Sequence, residues 1–300
     1  MSRTPMSRRF HRALRSPAEF TKRGWREVLT RTGQAMSAHN MPIVAAGIAF
    51  YMVWALFPAL VALVLLGITV LGEQEMLHLL SRIRVDLPSS VDAVVGAQLS
   101  AIARQSRAFS SSAFIGSVAV ALWGAMRGAR GLIEALNLIH RQRETRSFGH
   151  RQALAFGFAC LGGGFLIIAI SLIVAVPPFP SGSDGDIESI PLAPWQWPIL
   201  IGALMSSLAI VYRYGPARRK AKWRWVSWGA AASAIVWVIG SFLFSYYASR
   251  YMRANLLLGS LGAATIFMLW SYLTVLTLLF GAQINVEMER EADVETTLDR

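Results

Sequence analysis

The chain has 300 residues, of which 54% are hydrophobic and 15% charged, with a net charge of +12. An average soluble domain carries about 25% charged residues, so composition excludes a fold dissolved in water, which would expose large apolar patches. A single cysteine, Cys160, excludes a disulfide framework and a thiolate metal site; lying in an apolar block, it is expected to pack in a core.

Arg3, Arg8, Arg9, Arg12 and Arg15 are followed by polar residues, so the start does not read as a secretory signal. Residues 1–15 are expected to be disordered, and Ser16-Pro17 reads as a helix start. In the helix that follows, Trp25, Val28, Leu29 and Met36 fall on one side and Lys22, Arg23, Arg26 and Glu27 mostly on the other. That pattern suits a helix on an anionic membrane surface, or a solvated one.

A first span is predicted over 42–72, with Pro58 near its middle as a kink. Residues 73–111 read as two short amphipathic helices divided by Pro88. A short second span follows at 109–126, its helix continuing past Arg127 to about 143. Span 3 covers 153–176 and ends at Pro177, Pro178 and Pro180, before a loop bearing Asp184, Asp186 and Glu188. Spans 4, 5 and 6 cover 195–212, 226–248 and 257–286. The expected fold is all-α: a six-span polytopic membrane domain at 41–290 with amphipathic interfacial helices, a basic amphipathic segment at 1–40 and an acidic tail at 291–300.

Charge placement sets the orientation. Lys and Arg number nine before span 1, six between spans 2 and 3, six between spans 4 and 5, and two in the tail. The alternate segments hold six of the total of 29. Cytoplasmic loops collect Lys and Arg, so both termini are expected in the cytoplasm. The basic balance is then a topological signal, and no nucleic-acid partner is expected. Trp195, Trp197, Trp223, Trp225 and Trp228 at span ends suit interfacial belts.

Gly162-Gly163-Gly164, Gly229 to Ala232, and Gly259 with Gly262 are expected to let helices approach closely, with a substrate path as the alternative. No predicted span core holds an ionisable residue, which argues against an ion-coupled pump. The histidines are scattered, and neither a nucleotide-binding loop nor a metal-hydrolase cluster is present. No catalytic residue, metal or cofactor is therefore expected.

One polar stripe stands out. Arg127, Arg130, Glu134, Asn137 and Arg141 recur at spacings of three and four, on one helix face. It reads either as a solvated face with an Arg130–Glu134 ion pair or as a lipid-headgroup site where arginine grips phosphate. Gln283 and Asn285 near the end of span 6 read as amides clamping a neighbouring helix, or as ligand contacts. Gly281 and Pro58, with Gly259 and Gly262, are assigned structural roles.

Four blocks also carry a resemblance. They are Ala45-Ala46-Gly47-Ile48-Ala49-Phe50-Tyr51 with Ala55-Leu56-Phe57-Pro58, and Leu122-Trp123-Gly124-Ala125 with Arg127-Gly128 and Ala135-Leu136-Asn137. The others are Arg213-Tyr214-Gly215-Pro216 with Arg224-Trp225, and Gly259-Ser260-Leu261-Gly262-Ala263 with Trp270 and Gly281-Ala282-Gln283-Ile284-Asn285. In this order they resemble the YihY / virulence factor BrkB family. That resemblance implies a six-span bacterial inner-membrane protein with ties to the cell envelope and lipid traffic. The family's older name, ribonuclease BN, is regarded as mistaken. Many relatives have Ser at Ala55, Tyr at His140 or Leu258, and Glu at Gln283; the resemblance supplies no established catalytic residue. Three functions follow: translocation of a lipid or other amphiphile, with membrane lipids as partners; a non-transporting scaffold for envelope-assembly proteins; and, last, RNA cleavage. Oligomeric state, substrate and energy source are not encoded in any motif.

Overall fold

The structure, a computed structural model, describes residues 21–72, 74–75, 111–174, 195–218, 223–254 and 259–298. The expected disordered start, the Ser16-Pro17 helix start, the amphipathic segment beyond residue 75 and the acidic loop after span 3 lie outside them. The described residues form helices α1 (Lys22–Ala38), α2 (Met41–Leu71), α3 (Ser111–Ile139), α4 (Phe148–Val174), α5 (Gln196–Tyr214), α6 (Trp223–Ala254) and α7 (Gly259–Leu298), with no strand. Six of these, α2 to α7, are long and apolar enough to cross a membrane. An apolar surround forces such segments to satisfy their backbone internally, hence helices throughout.

Each crossing helix packs on the next, and α7 returns to α2, closing a ring; α1 lies against α7 and α2. Alternating directions bring the start of α2, the end of α3, the start of α4, the end of α5, the start of α6 and the end of α7 to one end. This is the basic end. Most buried side chains, including Met41, Ile48, Ile133, Leu136, Tyr212, Leu279 and Ala282, belong to the half of the bundle nearest it.

The most extensive crossing joins α2 and α3. A Cβ added at Gly124 would lie 3.0 Å from Ala55 Cβ, and one at Gly131 would lie 3.1 Å from Ile48 Cγ1. Gly128 faces Tyr51 between them. Gly124, Gly128 and Gly131 thus form the small-residue stripe on which two apolar helices approach without a hydrophobic driving force. By contrast, a Cβ at Gly162, Gly163 or Gly164 would meet nothing within 4 Å, so close packing is not their role in the bundle. Cys160, expected in a core, is exposed on the same helix. The physical reason is shared: the outer face of a membrane helix is itself apolar, so hydrophobicity does not mark the inside.

Two expectations shift at helix ends, those of α3 and α7. α3 stops at Ile139 rather than near 143, because Arg141 adopts a left-handed backbone with φ +52°. Its N–H bonds Leu138 O at 3.0 Å, and the Gln142 N–H bonds Asn137 O at 2.9 Å, a Schellman termination. α1 begins at Lys22, where Thr21 Oγ1 accepts the Gly24 N–H at 3.1 Å. α7 continues through the acidic segment to Leu298, and Glu291 there is buried against Arg31 of α1. α2 runs as one helix through Pro58, whose missing N–H leaves a carbonyl one turn earlier without its usual donor. The expected interfacial residues of α1 divide: Val28 is buried beside Ile284 and Met288 of α7, whereas Leu29 is 51% exposed.

Candidate functional site

The α2–α3 crossing sets the position of the polar stripe. With Gly128 and Gly131 against α2, the flanking Arg127 and Arg130 turn toward the start of α4. There Tyr51, Arg127, Arg130, Gly131, Glu134, Phe148, Arg151 and Gln152 line an open cleft of about 350 Å³. Glu134 pairs with Arg151 of α4 at 3.0 Å, not with Arg130 as the helix spacing suggested. Two helix starts and ends meet at this level, and α4 supplies the nearer guanidinium.

Neither of the other two arginines has a carboxylate partner among the described residues. Arg127 lies over the Trp123 ring, 5.4 Å from its centroid, and Trp123 in turn meets the Tyr51 ring edge-on. Arg130 Nε donates to Met126 O at 3.3 Å. Both lie on the second half of α3, beside the first turn of α4. Arg127 is level with Tyr51, ten residues into α2, which at 1.5 Å per residue is about 15 Å from the helix start. The helix that is the second candidate span runs from Ser112 to Ile139 and carries Arg127, Arg130 and Glu134 in its second half. The sequence boundary at 126 fell where the first charge appeared, although the helix and its packing on α2 continue.

Asn137 shares the stripe's spacing but not its cleft. It is buried, and its Oδ1 accepts the Ala217 N–H at 2.7 Å while its Nδ2 donates to Glu144 at 2.8 Å. Arg146 completes the knot. It donates Nε to Glu144 Oε1 at 2.8 Å and Nη2 to Oε2 at 2.9 Å, and reaches across to Tyr214 O at 3.1 Å and Gly215 O at 2.7 Å. The loop after α3 is thereby tied to the loop after α5. The Arg146 guanidinium, helped by Asn137, holds the Glu144 carboxyl well below its ordinary value, at about 2, although burial opposes it. Beside the knot, burial pushes His140 down to about 4, aided by the Arg218 charge and opposed by its Nδ1 bond to Leu136 O.

Gln283 and Asn285 lie in neither place. Both are buried in α7. Asn285 Oδ1 accepts the Gly229 N–H of α6 at 2.9 Å, and Gln283 Nε2 donates to Glu287 at 2.9 Å. One turn earlier, a Cβ on Gly281 would lie 2.7 Å from Gly229 O and 2.8 Å from the Tyr212 hydroxyl. That hydroxyl donates to Leu278 O at 2.6 Å and contacts Ser233 Oγ at 2.7 Å. The six singled-out side chains are thus split: Arg127, Arg130 and Glu134 line the cleft, Asn137 is in the loop knot, and Gln283 and Asn285 are in the α6–α7 region. Arg141 lies beyond the helix end, off the stripe. Glu144, Arg146 and Arg151 carried no periodic signal of their own; their partners come from other elements. Among the described residues no three His, Cys, Asp or Glu side chains gather where a metal ion could be held.

The sequence model of the family described as virulence factor BrkB matches residues 32–300. The chain is 27% identical over 186 residues to the ribonuclease-like protein YfkH of Bacillus subtilis (strain 168), covering 58% of this chain and 64% of that one. It is 28% identical over 161 residues to the UPF0761 membrane protein IL2447 of Idiomarina loihiensis, covering 52% and 54%. With the UPF0761 membrane protein AZOSEA40600 of Aromatoleum aromaticum it shares 26% over 265 residues, 84% of this chain and 61% of that one. In each case the match spans less than two thirds of the relative's length. No solved structure matches.

Proposed function

The chain belongs to the virulence factor BrkB family, and from that premise we propose that it moves a lipid or other amphiphile with an anionic headgroup within the bacterial inner membrane. The observation that carries this reading is the pair Arg127 and Arg130. They line a partly open cleft together with the first turn of α4, toward the basic end of the bundle. Arginines gathered on a cleft at the mouth of a membrane bundle are placed to meet anionic headgroups. Guanidinium groups fit phosphate oxygens in a planar, two-bond geometry. The Trp123 and Tyr51 rings beside them offer an apolar bed for the start of the acyl chains.

The excess of Lys and Arg on the segments at the basic end supports placing that end, with both termini, in the cytoplasm. Trp195 at the far end and Trp228 near the basic end, 53% and 42% exposed, suit the two interfaces. RNA cleavage is favoured by no observation on the described residues.

The test is lipid flipping by purified protein in liposomes, read with a fluorescent phospholipid and a membrane-impermeant quencher. Protein-dependent flipping that falls at least tenfold in folded Arg127→Ala/Arg130→Ala protein supports the reading. Flipping unchanged in that variant removes the cleft as the path. No flipping by folded, inserted wild type leaves either another amphiphile as substrate or the scaffold for envelope-assembly proteins.

A further inference from the structure

The charges lining the cleft do not balance. Three guanidiniums, Arg127, Arg130 and Arg151, face one carboxylate, Glu134. Glu134 is already committed to Arg151 at 3.0 Å. Arg127 keeps only the Trp123 ring, and Arg130 only a backbone carbonyl through Nε. Two positive charges are therefore left without a carboxylate partner among the described residues, Arg127 exposed and Arg130 half-buried at the cleft. Two accessible guanidiniums on one cleft offer charge-assisted, two-bond contacts to an anion.

We propose that the cleft selects a phosphomonoester, the dianionic headgroup chemistry of phosphatidic acid, over phosphodiester and zwitterionic headgroups. This rests on the headgroup reading above and narrows it. Two spare guanidiniums one helical turn apart match a group bearing two negative charges on one phosphorus. A phosphodiester brings one charge and leaves one arginine unpaired. A zwitterion such as an ethanolamine lipid would have to seat its ammonium on Glu134, and Arg151 occupies that carboxylate. Glu134 thus acts as a specificity residue: paired, it holds Arg151 out of the anion's reach and keeps the free charge at two.

Binding to the full-length protein in detergent micelles is measured with short-chain phosphatidic acid, phosphatidylglycerol, phosphatidylethanolamine and inorganic phosphate. Phosphatidic acid is expected to bind about tenfold more tightly than phosphatidylglycerol, and more tightly as pH rises from 5 to 8 and its phosphate takes the second charge. Arg127→Gln/Arg130→Gln should abolish both the preference and its pH dependence. Glu134→Gln, which frees Arg151, should strengthen phosphatidylglycerol binding and shrink the preference. Equal binding of phosphatidic acid and phosphatidylglycerol overturns the specificity while leaving the headgroup site. Inorganic phosphate competing as well as phosphatidic acid makes the site one for soluble phosphate and overturns the lipid assignment. Lipid binding unaffected by either variant removes the cleft and the translocation reading together.

Discussion

Arg146→Ala is expected to cost more stability than any substitution in the cleft. Its guanidinium makes two bonds to Glu144 and two to the carbonyls of Tyr214 and Gly215, and both charged side chains are mostly buried, at 16% and 17% exposure. Truncation leaves Glu144 with Asn137 and a backbone N–H, and strands two carbonyls that helix α5 cannot satisfy at its own end. Breaking a buried pair from one side costs about 3–5 kcal/mol, and the partial exposure here favours the lower end, about 3 kcal/mol. The pair also leaves a pH signature. The Glu144 carboxyl titrates at about 2 in the folded protein against an ordinary 4.5. A depressed carboxylate contributes stability above the unfolded value, and that contribution is lost as pH falls from about 4.5 toward 2. Unfolding of the purified protein, followed by denaturant titration at pH 7 and again at pH 4 and 3, reads both effects. Arg146→Ala within 0.5 kcal/mol of wild type at pH 7, or with the wild-type loss of stability below pH 4.5, would refute the knot as a tie between the two loops.

Other substitutions probe the remaining packing. Gly281→Ala should destabilise by about 1–3 kcal/mol, since its methyl overlaps Ser233 and crowds Gly229 O and the Tyr212 hydroxyl; a melting temperature equal to wild type would contradict that crossing. Gly124→Val should separate α2 from α3, lowering the yield of folded protein and the anion affinity of the cleft together, as read by size-exclusion chromatography and lipid binding. Arg141→Gly should stabilise by about 1 kcal/mol, because the left-handed position at φ +52° suits glycine. His140→Gln should flatten the stability profile between pH 6.5 and about 4, since a histidine held at about 4 loses its contribution as pH falls through that window.

The six crossing helices were legible because each is an apolar run longer than a bilayer needs, and charge asymmetry between loops gave one shared end for both termini. The boundary of α3 was not. The sequence reads as helix past Arg127, where Gly128 and Gly131 keep it packed on α2, but the helix closes at Ile139 because Arg141 turns left-handed. Periodicity put Arg127, Arg130 and Glu134 on one face, but it could not distinguish Asn137, at the rim of that face, which turns toward α5 and Ala217. Nor could it find Arg151, which enters from α4 and takes Glu134 from Arg130. Gly162 to Gly164 and Cys160 mislead for a different reason. In a soluble protein small or apolar residues report the core, whereas here the solvent is lipid and the outer face has the same chemistry as the inner one.

Headgroup occupancy of the cleft is tested most directly by photo-crosslinking. A phospholipid carrying a photoreactive group beside its phosphate is incorporated into liposomes with the wild-type protein, irradiated, and the adducts mapped by mass spectrometry. Adducts concentrated at Tyr51, Phe148 and Gln152, and lost in Arg127→Ala/Arg130→Ala, are the predicted result. Adducts spread evenly around the bundle, or unchanged in that variant, would contradict a lipid headgroup held between α2, α3 and α4.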